Sequence, residues 1–228
     1  MAAEITVVSA GAVEPGLSKV IDSFRRETGN EVTVTFATAP AIRKRMSSNE
    51  TADLVIAPSD LFDELEKPAT LFERSALGSI GVGVMVRNGA PMPRIATVNE
   101  FKQSLLGAES IVYNQASTGI YLESLFDWLG ISAQLKAKTT RYPDFATVRD
   151  HVAKGAGNEI GLGAITVIIE SATKGLKFVG PLPAEIQNYT TYTAIVTEYG
   201  QAKPAAAALL KCLTSPKAKA IFTAAGIE

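Results

Sequence analysis

Between Ile5 and Phe24 the chain changes its hydrophobic period. Ile5, Val7 and Val8 form an apolar run, and the small residues Ser9-Ala10-Gly11-Ala12 interrupt it. Leu17, Val20, Ile21 and Phe24 then recur at i, i+3, i+4 and i+7. Those signals in that order are a strand, a tight turn and an amphipathic helix. Pro15 suits the first helical turn, where its missing N–H is no loss. A turn this short leaves the first N–H groups of the helix pointing beyond the strand end, and with the positive end of the helix dipole they favour an anion. The stretch also reads as an ordinary strand-to-helix turn that holds nothing, so the decision lies in the rest of the chain.

The pattern repeats. The first helix stops at Arg25-Arg26-Glu27-Thr28-Gly29, with basic residues in its last turn and a glycine after it. Glu31–Ala37 alternates as a strand, and Ala37-Thr38-Ala39-Pro40 is a second small-residue turn into a short helix through Ile42 and Met46. Asp53–Ala57 is a short apolar run of the kind found in buried parallel strands. Pro58-Ser59-Asp60 then opens a helix carrying Leu61 and Leu65, whose acids Asp63, Glu64 and Glu66 read as a solvated face rather than a catalytic pair. Strand–helix units in succession imply an α/β fold with a parallel, doubly wound sheet. Ligands of such sheets lie beyond the carboxyl ends of the strands, the edge on which all three turns fall.

Gly78–Arg87 breaks the pattern as a glycine-spaced strand with a Pro/Gly loop behind it, and no helix follows that would make it a phosphate loop. Strand–helix alternation then restarts, with helices over 98–105, 119–129 and 146–154 and strands over 110–113, 138–142 and 160–165. The turn Asn114-Gln115-Ala116-Ser117-Thr118-Gly119 again precedes a helix. Gln187–Thr197 reads as a strand, and helices over 204–213 and 216–225 close the chain, Ser215 capping the second. The organisation expected is two lobes, residues 1–82 with 190–228 and residues 83–189, joined by two strands that form a hinge. A ligand is expected in the cleft between them.

Composition narrows the function. Twenty-two basic residues against 23 acidic ones give no electrostatic case for nucleic acid. No apolar run approaches the roughly 18 residues that span a bilayer. With a single cysteine, Cys212, expected as an inert buried thiol, and a single histidine, His151, expected on a helix surface, no metal site is expected. No Gly-x-Ser-x-Gly elbow or Walker lysine is present, and a nucleophile would lack an activating partner, so no catalytic residue or cofactor is assigned. The start, Met-Ala-Ala-Glu, fits either a native cytoplasmic beginning or a periplasmic protein whose signal peptide has been removed.

With these elements in place the chain resembles the periplasmic molybdate-binding proteins, solute receptors of ABC importers. The resemblance is carried by the first strand–turn–helix, by ADLVIAP at 52–58, by STGIYLESLFDWLGI at 117–131 and by LTSPKAKAIFTAAGI at 213–227. It implies the two-lobed, type II periplasmic-binding fold with mixed sheets, a monomer, a small anionic ligand and an ABC permease as partner. A cytoplasmic ligand sensor with the same fold is the alternative.

The resemblance also implies a site of small hydroxyls, backbone N–H groups and one tyrosine hydroxyl around a tetrahedral oxyanion. Carried onto this chain, the first-turn serine position falls on Ala12, within Ser9, Ala10 and Gly11. The second-turn hydroxyl falls on Thr38 or Ala39. Backbone donors fall on Thr118, between Ser117 and Gly119, and near Thr147, while the tyrosine position falls on Ala164. Two side-chain donors are thus missing. Unpaired oxyanion lone pairs cost on the order of 1–3 kcal/mol each, so molybdate is expected to bind about a hundredfold more weakly or worse, and a larger organic carboxylate fits the emptied space. Arg141 and Tyr142 are candidates to clamp such a carboxylate, with a surface ion pair and a packing aromatic as the alternative. Tyr189, with Asn188 and Tyr192, is a candidate lining residue.

Overall fold

The computed structural model describes residues 2–48, 52–64, 71–198 and 200–228. In chain order its elements are β1 (Glu4–Ala10), α1 (Glu14–Thr28), β2 (Glu31–Ala37), α2 (Ala39–Ser47), β3 (Leu54–Pro58), α3 (Ser59–Glu64) and β4 (Leu71–Arg87). There follow α4 (Val98–Gly107), β5 (Ser110–Asn114), α5 (Ser117–Trp128), α6 (Ser132–Leu135), β6 (Thr139–Tyr142), α7 (Phe145–Lys154), β7 (Glu159–Ala164) and α8 (Ile165–Glu170). The chain ends with β8 (Leu176–Pro181), β9 (Tyr189–Thr197), α9 (Lys203–Leu213) and α10 (Pro216–Ala224). Leu65 and Glu66, expected in the third helix, lie outside the described residues. The chain divides into two units, Met1–Ile80 with Thr190–Glu228, and Gly81–Tyr189, so β4 and β9 each carry it from one unit to the other.

In the first unit the strand order is β2-β1-β3-β9. β1 runs parallel to β2 and β3, while β9 is antiparallel to β3. α1 buries Leu17, Val20, Ile21 and Phe24, the stripe at i, i+3, i+4 and i+7, and Gly29 ends it in the left-handed conformation at φ 71°. Each such side chain contributes about 1.5–3 kcal/mol on burial. α10 lies close against α1, since a Cβ on Gly16 would stand 2.6 Å from Phe222 Cδ1. Asp53, just before β3, is buried and accepts from the Thr6 backbone N–H, the Thr6 hydroxyl and the Ala202 N–H, each at 2.7 Å. Burial by itself raises its pKa, but the N–H groups of Ala202, Thr6 and Gln201 with the Thr6 hydroxyl outweigh that and hold it below the usual aspartate range. One carboxylate thus fastens β1, β3 and the approach to α9.

In the second unit β8 pairs with β4, and β4-β7-β5-β6 completes the sheet, parallel among β5, β6 and β7 and antiparallel at β4. Alternate residues face opposite sides. Ile111, Tyr113, Ile160 and Leu162 pack with Phe101, Leu122 and Phe126, while Val112 and Met85 pack with Val148, Val152 and Ile168. A sheet covered on both faces is what near-continuous apolar strands require.

Four expectations need correction. The apolar run 160–165 is not all strand, for β7 ends at Ala164 and Ile165 begins α8. β8 was not expected at all. Cys212 is half-buried rather than enclosed, although burial, with Glu27 adding to it, still pushes its thiol pKa up. His151 is not a bare surface residue: it is half-buried, with Nδ1 2.9 Å from the Tyr142 hydroxyl.

Candidate anion-binding turns

The turns are placed by strand register. β1 and β2 pair from Glu4↔Glu31 to Ala10↔Ala37, so their carboxyl ends stop side by side. Gly11–Val13 then forms one 3-10 turn before α1, and Thr38 leads directly into α2. Ala10 and Val13, at the N-caps of the 3-10 turn and of α1, make no side-chain capping bond. Thr38 is extended at φ −78°, ψ 156°, and its hydroxyl does not cap α2 either. The structure therefore brings Ala10, Gly11, Ala12, Thr38 and Ala39 onto one edge of the first unit. Ser9 is different. It is fully buried, and its hydroxyl donates to the Ala10 carbonyl at 3.2 Å. Glu14 lies in the first turn of α1, where its charge opposes a second anion.

The second unit repeats the arrangement on β5, β6 and β7. β5 and β6 pair from Ile111↔Thr139 to Asn114↔Tyr142, and α5, α7 and α8 open beyond the strand ends. Ala116, before α5, and Ala164, before α8, carry no side-chain cap. Ser117 and Thr118 are half-buried in the first turn of α5. Gly119 is required there, because a Cβ would stand 1.8 Å from the Asn114 carbonyl oxygen. That approach draws the first turn of α5 down onto the end of β5. α7 is closed in a different way, since Asp144 caps it by accepting from the Thr147 N–H at 2.8 Å and the Thr147 hydroxyl at 3.0 Å. Thr147, expected near a backbone donor, is thus already paired with Asp144 at the surface.

The expected carboxylate clamp is in part engaged within the protein, although the buried Arg141 Nε has no hydrogen-bond partner among the described residues. Arg141 pairs with Glu123 of α5 through its Nη1, and its Cζ lies 5.8 Å from the Tyr113 ring centroid. The Tyr142 hydroxyl meets His151. Of the lining candidates, Tyr192 is buried opposite Pro58, where burial and the negative charge of Asp60 push its phenol pKa up. Tyr189 is 52% exposed and lies beside Gly81 and Ile165. Sequence reasoning missed the roles of Asp144 and Gly81. Asp144 carried a readable signal, an acid followed three residues later by Thr147 at a helix start. Gly81 carried none, since its neighbours are distant in sequence. Among the described residues no group of three or more His, Cys, Asp or Glu side chains is placed to hold a metal ion.

Two α/β units whose parallel strands open into helices at one edge, with the chain passing twice between them, define the periplasmic-binding-protein class of fold. The sequence pattern of the bacterial extracellular solute-binding protein family matches residues 5–228, and the chain belongs to that family. It is 30% identical over 232 residues to an aconitate isomerase of a Pseudomonas species, covering 98% of this chain and 87% of that one. It is 25% identical to the molybdate-binding protein ModA of Escherichia coli, over 96% of this chain and 86% of that one. Among solved structures, the periplasmic molybdate-binding protein of Azotobacter vinelandii superposes with a TM-score of 0.81 at 19% identity, covering 98% of each chain. The resemblance to molybdate-binding proteins and the type II fold read from the sequence are therefore correct. No described helix is long and apolar enough to cross a membrane.

Proposed function

We propose that this protein is a periplasmic receptor of an ABC importer that takes a small organic polycarboxylate on these turns, and that it is not a molybdate receptor. The observation that carries the reading is the state of the helix starts. The helices after β1, β2, β5 and β7 begin without a side-chain cap from their N-cap residues, as α6 and α9 also do, whereas α4, α7 and α10 are capped by Thr97, Asp144 and Ser215. Uncapped first turns are suited to an external anion. Ala12 and Ala164 offer methyl groups where the molybdate resemblance places hydroxyls, which removes donors from a compact oxyanion and makes room for a larger one. A relative named for aconitate, at 30% identity over nearly the whole chain, points to the same ligand class.

Thermal-shift measurement with molybdate, sulfate, citrate, tricarballylate and trans-aconitate tests it. The melting temperature is expected to rise with tricarboxylates and to stay within error with molybdate. A rise with molybdate alone overturns the reading.

The same relative favours a second reading, an isomerase acting on an unsaturated tricarboxylate. Proton NMR of trans-aconitate incubated with a trace of the protein separates the two. Conversion to the cis isomer at many turnovers supports the isomerase, and an unchanged spectrum with saturable binding supports the receptor.

A further inference from the structure

Gly81 and Tyr189 are the first and last residues of the second unit, and they meet. A Cβ on Gly81 would stand 3.2 Å from Tyr189 Cε1, 3.2 Å from Ile165 Cδ1 and 3.3 Å from Gln187 Cδ. The ring of Tyr189 therefore lies against bare backbone beside the first residue of α8. Ile165 directly follows Ala164, the position where the resemblance places a tyrosine and this chain has a methyl group.

The segment that carries Tyr189 is fixed at this spot. Gln187 Oε1 accepts from the Val82 N–H at 2.8 Å, and Gln187 Nε2 donates to the Val82 carbonyl at 3.0 Å. Asn188 N–H donates to the same Oε1 at 2.9 Å. Val82 in turn pairs with Ala164 across the β4–β7 ladder. A side-chain amide thus ties residues 187 and 188, directly before Tyr189, to the end of the ladder at which the phenol is missing. Tyr189 is one of the few large hydrophobic side chains left exposed, and its hydroxyl has no hydrogen-bond partner among the described residues. A ring packed along one edge, with its hydroxyl free, is a donor partly oriented before a ligand arrives.

We propose that Tyr189 is a specificity-determining residue, donating to the bound anion the phenol hydrogen bond that Ala164 does not supply. Coming from the start of β9 rather than from the β7 turn, it favours a ligand longer than a tetrahedral oxyanion. This inference rests on the polycarboxylate reading above. The competing account is that Tyr189 only packs on Gly81.

The test is calorimetric titration of the wild type, Tyr189→Phe and Gly81→Ala with tricarballylate and trans-aconitate, alongside melting temperatures without ligand. A hydrogen bond to a charged group makes Tyr189→Phe bind about tenfold more weakly or worse, at an unchanged ligand-free melting temperature. Gly81→Ala, whose added methyl presses on the ring, Ile165 and Gln187 at 3.2–3.3 Å, is expected to weaken binding in the same direction but by less. If the wild type binds and Tyr189→Phe binds within about twofold of it, the inference is wrong and the ligand reading stands. If the wild type binds neither tricarboxylate, the ligand reading fails and takes this inference with it.

Discussion

Thr147 gives both its backbone N–H and its hydroxyl to the carboxylate of Asp144, at 2.8 and 3.0 Å, so α7 begins with its own anion in place. The helices after the neighbouring strands β5 and β7 begin without one. Replacing Asp144 by alanine removes a cap, which costs about 1 kcal/mol of stability. It also removes a negative charge from the edge that is proposed to hold an anion. Urea unfolding of Asp144→Ala is therefore expected to show lower stability, while titration shows tricarboxylate affinity that is unchanged or higher.

Gly119 and Asn114 make a sharper demand. The Cβ of an alanine at 119 would stand 1.8 Å from a backbone carbonyl oxygen, and no rotamer change relieves a backbone clash. The turn must open, which costs about 1–3 kcal/mol by analogy with overpacked cores. Gly119→Ala is expected to lower the melting temperature and to lose most ligand binding. An alanine at Gly11, where nothing lies within 4 Å of the added atom, is expected to leave stability nearly untouched.

Asp53 sets the response to acid. Its folded pKa lies below the ordinary value, so its charged form is the one the fold stabilises. That stability is complete above the unfolded aspartate pKa of about 3.9 and disappears as the pH drops through the lowered folded value. Asp53→Asn is expected to cost about 1–3 kcal/mol at neutral pH. Its stability should then fall less steeply than the wild type's as the pH is lowered from about 4, the unfolded aspartate value, through the depressed folded value. Urea midpoints measured across that range check both statements.

Gly16 reports on the packing of α10 against α1. A Cβ there would stand 2.6 Å from Phe222 Cδ1, and Phe222 is itself buried at 1% exposure. Gly16→Ala gains helix propensity of about 1 kcal/mol but must displace a packed ring, which costs about 1–3 kcal/mol. A net loss of stability is expected, and combination with Phe222→Leu is expected to recover part of it.

Much of the fold was written in local pattern. The switch from alternation to a 3.6-residue period marks β1 and α1, and Gly29 marks the helix end with the left-handed backbone that a glycine best supplies. α8 was hidden because Ile165, Val167, Ile168 and Ile169 prefer strands by local propensity. The packing of buried Thr166 and Ile168 overrides that preference. The site divides along similar lines. Turns beside Ala10, Thr38 and Ala116 follow from strand register and were legible. The partners that occupy Arg141, Tyr142 and Thr147 are tertiary for the first two and local for the third, and only Asp144 before Thr147 was visible as a motif. The meeting of Gly81 with Tyr189 depends on two ends of a unit coming together, which no window of sequence contains.

The central claim is that the uncapped turns, without hydroxyls at 12 and 164, hold an organic polycarboxylate in preference to a tetrahedral oxyanion. Isothermal titration of the ligand-free protein with the tricarboxylate panel and, separately, with molybdate tests it most directly. The expected result is one-to-one tricarboxylate binding in the micromolar range or tighter, with molybdate about a hundredfold weaker or undetectable. Submicromolar molybdate binding with no heat from any tricarboxylate would contradict it.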